Sequence, residues 1–242
     1  MTLNIIGIGL WDEKDITVKG LEIVKKCSKV YLEVYTSRLG CAFADLEGFY
    51  GKKITKADRE TVERKAEETI LKDAKEGECA FLVIGDPMSA TTHIDLVMRA
   101  KEKGIKINII HNASVLTAVG IVGLELYKYG KTTSIPFENE NVKTPVEVYQ
   151  MNKLDGLHTL FLLDLRPDKN KFMTAKQAAK YLISKGVSED ETCISCTGLG
   201  SPKPEIKTTK LSEAPELTLL PQCLIIPGRL HFMEEDAIKQ WE

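Results

Sequence analysis

The sequence lacks an excess of either charge sign, a long apolar run, paired histidines and a disulfide framework, and each shortage excludes a class of function. Lysine and arginine number 33 against 35 aspartates and glutamates, for a formal net charge of -2. Nucleic-acid binders carry a basic excess gathered on one face, so no polyanion is the expected partner. The longest weakly polar stretch, from about Ser114 to Leu126, holds Gly120 and Gly123 and is too short to span a bilayer. MTLNIIGIGLWDEKD opens without a basic region or a cleavage signal, which leads us to expect a soluble cytoplasmic protein.

Metal and redox chemistry find little support. His93, His111, His158 and His231 are scattered, with no pair at the i, i+4 spacing of a helical metal site. Cys193 and Cys196 imitate a C-x-x-C motif, but ETCISCTG reads as a strand, where residues three apart point to opposite faces. With no second pair to complete a ligand set, buried structural thiols are expected, and no metal.

What remains is an ordinary globular composition, 43% hydrophobic and 28% charged, in 242 residues, enough for one or two domains. Strand and helix patterns alternate, which predicts an α/β protein. LNIIGIG, KVYLEVYT, CAFLVIG and KINIIH read as strands, and TVKGLEIVKKC and HIDLVMRAKEKG as helices. Val62, Ala66, Ile70 and Ala74 recur every fourth residue and predict one long helix from Arg59 to Gly77, capped by Asp58. SVLTAVGIVGLELYKYG reads as a largely buried helix.

TTSIPFENENVKTP is a polar, Pro-punctuated connection, after which a second series begins. It comprises the helix VEVYQMNKL, the strand HTLFLLDL, the helix TAKQAAKYLISKG and three late strands, ETCISC, EIKTTKL and QCLIIPG, expected to pair antiparallel. We expect two α/β domains, residues 1–112 and 113–242, with a cleft between them.

Two glycine-bearing strand ends stand out. Gly7-Ile8-Gly9 imitates a dinucleotide fingerprint, but Asp12, Glu13 and Asp15 stand where helix amides should meet a pyrophosphate and would repel it. Gly85-Asp86-Pro87 closes the strand CAFLVIG. A strand-end carboxylate can accept two hydrogen bonds from a ribose or an amine, yet on spacing alone a plain turn is the favoured reading of the stretch. In HNAS, Ser114 is expected to cap the helix that follows.

Taken together, GIGLWDEKDITVKGLEIVKKC, YLEVYTS, FLVIGDPMSATTHIDLVMRAKEKGI, IIHNASVLTAVGIVGLELYKYGK, LHTLFLLDL and IIPGRLHFME resemble the diphthine synthases, in order and over nearly the whole chain. These belong to the tetrapyrrole-methylase-like enzymes. The resemblance implies two α/β domains with S-adenosylmethionine in the cleft between them, and a homodimer. It implies methylation of the 3-amino-3-carboxypropyl-histidine of translation elongation factor 2 on the way to diphthamide. HNAS and VYLEVYTS look like the branch that adds four methyls and yields diphthine methyl ester. Three N-methylations giving diphthine, another substrate of the superfamily, or a binding module without catalysis are the alternatives.

Matching residue by residue, the resemblance implies cofactor contacts at Leu10, Asp86, Ser89, Ser114 and Val115, and at Leu163, Leu199 and His231. TGLGSPKP departs from the family pattern around Leu199. No catalytic base is named.

Overall fold

In the computed structural model, which describes residues 1–89 and 93–242, strand and helix alternate through the first 110 residues. The order is β1 (Thr2–Gly7), α1 (Val18–Lys26), β2 (Lys29–Glu33), α2 (Phe43–Tyr50), β3 (Thr55–Ala57), α3 (Arg59–Glu63), α4 (Ile70–Glu76), β4 (Glu78–Val83), α5 (Ile94–Glu102) and β5 (Lys106–Ile110). The five strands form one parallel sheet in the order β3-β2-β4-β1-β5. These elements fall within the first of two compact units, Met1–Leu116 and Thr117–Glu242.

Side chains alternate across this sheet, so neighbouring residues feed different cores. Leu3, Ile5, Phe81 and Val83 pack with Val62, Ile70, Leu71 and Leu96 of α3, α4 and α5. Ile6, Ile8, Ala80 and Leu82 pack with Val24, Leu46 and Tyr50 of α1 and α2 on the other face. The chain therefore leaves β1 over one face toward β2 and leaves β4 over the opposite face toward β5. β1 and β4 are neighbours, and the crevice at their carboxyl ends is the topological switch point at which open α/β sheets bind ligands.

The predicted long helix is two helices. Its four apolar residues are buried as expected, at 4% exposure or less, but α3 stops at Glu63 and α4 starts at Ile70. Arg99 of α5 donates to the carbonyls of Val62 and Glu63 at 2.6 and 3.4 Å and so takes up carbonyls at the end of α3. Thr69 Oγ turns back to the Lys65 carbonyl at 2.7 Å.

The second unit continues with α6 (Val115–Ala118), which begins at the end of the first, then β6 (Thr133–Ile135), α7 (Thr144–Leu154), β7 (Thr159–Leu163), β8 (Leu165–Arg166), β9 (Lys171–Phe172), α8 (Ala175–Ser184), β10 (Thr192–Thr197), β11 (Glu205–Lys210), β12 (Gln222–Ile226) and α9 (Phe232–Lys239). Its main sheet runs β11-β10-β12-β7-β6, antiparallel except for the parallel pair of β6 and β7. The late strands pair antiparallel, as their succession predicts. Cys193 and Cys196 are buried on β10, all six cysteines are free thiols, and burial pushes the Cys193 thiol up to about 11.

The segment expected as one buried helix is instead one turn of α6 followed by two short 3-10 turns, Val119–Val122 and Leu126–Lys128. Gly123 between them has φ +94°, and a Cβ there would lie 2.3 Å from Ala237 Cβ of α9. Only glycine fits at this turn, which closes the first 3-10 stretch. Among the described residues, no helix is long and apolar enough to cross a membrane.

Candidate functional site

Three strand ends meet at the switch point. Gly9 and Gly85 exchange backbone hydrogen bonds at 3.4 and 2.7 Å, tying the turn after β1 to the turn after β4. The turn after β5 joins them through Asn112, whose side-chain amide donates to the carbonyls of Gly7 and Asp15, both at 3.0 Å. Gly7 is required by this convergence, because a Cβ there would stand 2.5 Å from the Gly85 carbonyl and 2.9 Å from both Asn112 and Pro87.

The first turn carries no free amide cradle. Asp15 Oδ2 accepts from the successive amides of Leu10, Trp11 and Asp12 at 3.1, 2.7 and 3.3 Å. A carboxylate of the chain thus occupies the place an external phosphate would need, which gives the rejection of the dinucleotide motif a geometric form. α1 begins only at Val18, behind its cap Thr17.

Asp86 organises the other two turns. Its Oδ1 accepts the Met88 amide at 2.8 Å and the Ser89 hydroxyl at 3.2 Å. Its Oδ2 lies 2.8 Å from His111 Nδ1 and accepts the Asn112 amide at 3.1 Å. A carboxylate has about four lone-pair positions, and all four are used inside the protein. Burial opposes its charge, but the amides of Met88 and Asn112 and the His111 ring outweigh that and hold the carboxyl below the usual carboxylate range.

Leu10, Asp86, Ser89 and Ser114 stand on these three turns, and Val115 opens α6 directly after the third. Ser114 Oγ accepts the Leu116 amide at 3.0 Å, the expected cap at the start of α6. Of IGDPMSATTH, Ala90, Thr91 and Thr92 lie outside the described residues. His111 and Asn112 were visible in the sequence only as turn residues; their role appears once β5 is placed beside β1.

In the second unit the three expected residues separate. Leu163 ends β7 and is buried, and half-buried Leu199 follows β10, which runs in the same direction. β12 runs the other way, with Ile226 opposite Thr159 at the start of β7. His231 therefore follows the opposite edge of the sheet, where it is exposed and caps α9.

Beside that cap sits a second saturated carboxylate. Glu234 Oε1 accepts the Glu125 amide at 2.9 Å and lies 3.0 Å from His158 Nε2, while Oε2 accepts the His231 amide at 2.8 Å and the Lys128 ammonium. Glu234 and His158 are both within 1% of complete burial. Burial alone would raise the Glu234 pKa, but Lys128 and the two amides bring it down to about 2.

The model of the tetrapyrrole (corrin/porphyrin) methylases matches residues 2–215. The diphthine synthase of Methanocaldococcus jannaschii is 44% identical over 98% of this chain and 97% of its own length. The diphthine methyl ester synthase of Dictyostelium discoideum is 42% identical over 98% and 96%. The chain belongs to the tetrapyrrole methylase family, among its diphthine synthases. It is a methyltransferase of mixed α/β fold, and a crystal structure of diphthine synthase, 34% identical, superposes with a TM-score of 0.93 over 100% of this chain and 96% of the other. Membership of a methylase family calls for a methyl-donor cofactor.

Proposed function

We propose that this methyltransferase uses S-adenosylmethionine to methylate the 3-amino-3-carboxypropyl-histidine of translation elongation factor 2 in diphthamide biosynthesis, as a cytoplasmic homodimer. The observation that carries the reading is the likeness to diphthine synthases over 98% of the chain.

The residues at the switch point suit such a cofactor. Gly85, at φ +81°, leaves a bare stretch of backbone, with Leu10 Cδ2 and the Ala113 carbonyl no closer than 3.7 Å to where a Cβ would stand. A ligand can therefore rest against the main chain there. Leu10, Ser89, Ser114 and Val115 would border it. Asp86 serves by fixing the shape of the turns, since its lone pairs are already taken.

When bound, the cofactor supplies an activated methyl on a good leaving group. The chain's own contribution is alignment, and a rigid set of turns holds reacting atoms near the 3 to 3.5 Å that attack requires. No catalytic base is assigned.

Four methylations, ending in the methyl ester, are the reading we favour over three, because HNAS and VYLEVYTS look like the ester-forming branch. The carboxylate sits on the same carbon as the amine and is already a nucleophile at neutral pH. Mass spectrometry of the modified peptide before and after mild base is the test. Four methyls, one of them base-labile, are expected; three base-stable methyls after long incubation with excess cofactor contradict the fourth step.

A further inference from the structure

The contact between Asp86 and His111 fixes which nitrogen of the ring carries its hydrogen. Burial works against the charge of Asp86, yet the Met88 and Asn112 amides and His111 keep its carboxyl ionised at neutral pH. An ionised carboxylate only accepts, so Nδ1, 2.8 Å from Oδ2, is the donor. A neutral ring held in this way keeps a bare lone pair on Nε2. The side chain is 69% exposed, and among the described residues Asp86 is its hydrogen-bond partner.

The other three histidines offer no such nitrogen. His93 is closed off at 2% exposure. His158 is fully buried, with Nδ1 accepting the Gly228 amide and Nε2 against Glu234. His231 is exposed, but its Nδ1 accepts the Met233 amide, so its neutral ring carries hydrogen on Nε2 and has no open lone pair. The carboxylates of the turns are committed as well, Asp86 to four partners and Asp15 Oδ2 to three amides.

His111 also stands at the right place. It opens the turn after β5, directly before Asn112, whose side chain ties that turn to the carbonyls of Gly7 and Asp15. The Ala113 carbonyl, next along, lies 3.7 Å from where a Cβ of Gly85 would stand. The ring is thus anchored on the crevice whose bare backbone would receive the cofactor.

An amine carried as an ammonium has no lone pair, and it becomes a nucleophile only by losing a proton. Imidazole is the side chain whose ordinary range lies nearest neutrality, which suits it to that transfer at pH 7. A carboxylate fixed at Nδ1 both orients such a ring and stabilises the imidazolium it becomes, as in the hydrolase triads.

We propose that His111 is the proton acceptor of this methyltransferase, its Nε2 taking a proton from the acceptor's ammonium while Asp86 holds the ring by Nδ1. One proton moves to Nε2, the acceptor nitrogen keeps the electron pair of the broken N–H bond, and the exposed imidazolium returns the proton to water. The amine so freed serves for one methyl, and the ring is reset for the next.

The test has two arms on the full chain. In the first, the ring nitrogens of nitrogen-15-labelled protein are observed by NMR at a pH where the ring is neutral, with His111 assigned by comparison with His111→Asn. Hydrogen on Nδ1 and a bare Nε2 are expected; hydrogen on Nε2 overturns the proposal. This arm needs neither cofactor nor methyl transfer. In the second, His111→Asn, whose side-chain amide can keep the donor to Asp86 but lacks Nε2, is expected to lower kcat on the acceptor protein about a hundredfold, with S-adenosylmethionine Kd and Tm unchanged. In His111→Ala, added imidazole is expected to restore part of the rate in proportion to its neutral form. Unchanged kcat in His111→Asn, or a loss that tracks cofactor affinity and that imidazole does not restore, overturns the proposal. Turnover by the wild type, run alongside, keeps that outcome apart from failure of the methyltransferase reading on which the choice of acceptor rests.

Discussion

Asp86 and His111 lie 2.8 Å apart, carboxylate to ring nitrogen, and through this contact the turn after β4 is held to the turn after β5. β1 runs between those strands, so the pair spans the switch point of the sheet. The aspartate is buried and the histidine exposed, so solvent reaches the link from one side only.

Asp86→Ala is expected to act on shape as well as charge. Removing the carboxylate leaves the part-buried Met88 and Asn112 amides without their acceptor, at a cost toward the low end of the roughly 1–3 kcal/mol of a buried donor left unpaired. Cofactor affinity should fall tenfold to a hundredfold as the turns relax. Calorimetric titration with S-adenosylmethionine and a thermal melt check the two effects. Unchanged affinity in a folded variant would reduce Gly-Asp-Pro to a plain turn.

Titration calorimetry also separates the ligand classes. Because Asp15 fills the amides of the first turn, nicotinamide dinucleotides are expected not to bind, while S-adenosylmethionine and its demethylated product do. Tight dinucleotide binding with no response to the sulfonium cofactor would contradict the account.

Glu234 should govern acid stability. Its folded pKa, about 2, lies below the ordinary 4.5, so its contribution is complete above about pH 4.5, declines as the pH falls, and is gone below about 2. Glu234→Ala strands buried His158 and Lys128 without their partner and should cost about 3–5 kcal/mol. Chemical denaturation of wild type and variant across pH 2 to 7 measures both, and their difference should shrink toward the acid end.

Gly7→Ala and Gly48→Ala form a matched pair. At Gly7 a methyl meets the Gly85 carbonyl, so a loss of about 1–3 kcal/mol and weakened cofactor binding are expected. At Gly48, inside α2 with nothing within 4 Å of the new methyl, a gain of up to about 1 kcal/mol is expected. Equal effects at the two sites would remove the packing explanation.

The central strands were legible because each is a continuous apolar run bounded by turn residues, and α1, α5 and α8 because their apolar faces repeat cleanly. What escaped was set by distant contacts. The apolar period of residues 62 to 74 is real, yet Arg99 ends α3 from another element. Gly123 gave a local hint, but the lack of room for a side chain there is set by Ala237, more than a hundred residues away. α2 and β3 were missed because FADLEGFY contains a glycine mid-helix and TKA is three residues long. β6 hid inside a Pro-punctuated connection. The glycine turns of the site were visible, whereas the four donors on Asp86 required the strand order.

The most direct measurement is the mass of the modified-histidine peptide of elongation factor 2, carrying the unmethylated 3-amino-3-carboxypropyl arm, after incubation with this protein and S-adenosylmethionine. The account predicts added methyl masses on that arm alone, with stoichiometric release of S-adenosylhomocysteine. An unchanged peptide mass in the presence of protein that binds the cofactor would contradict it.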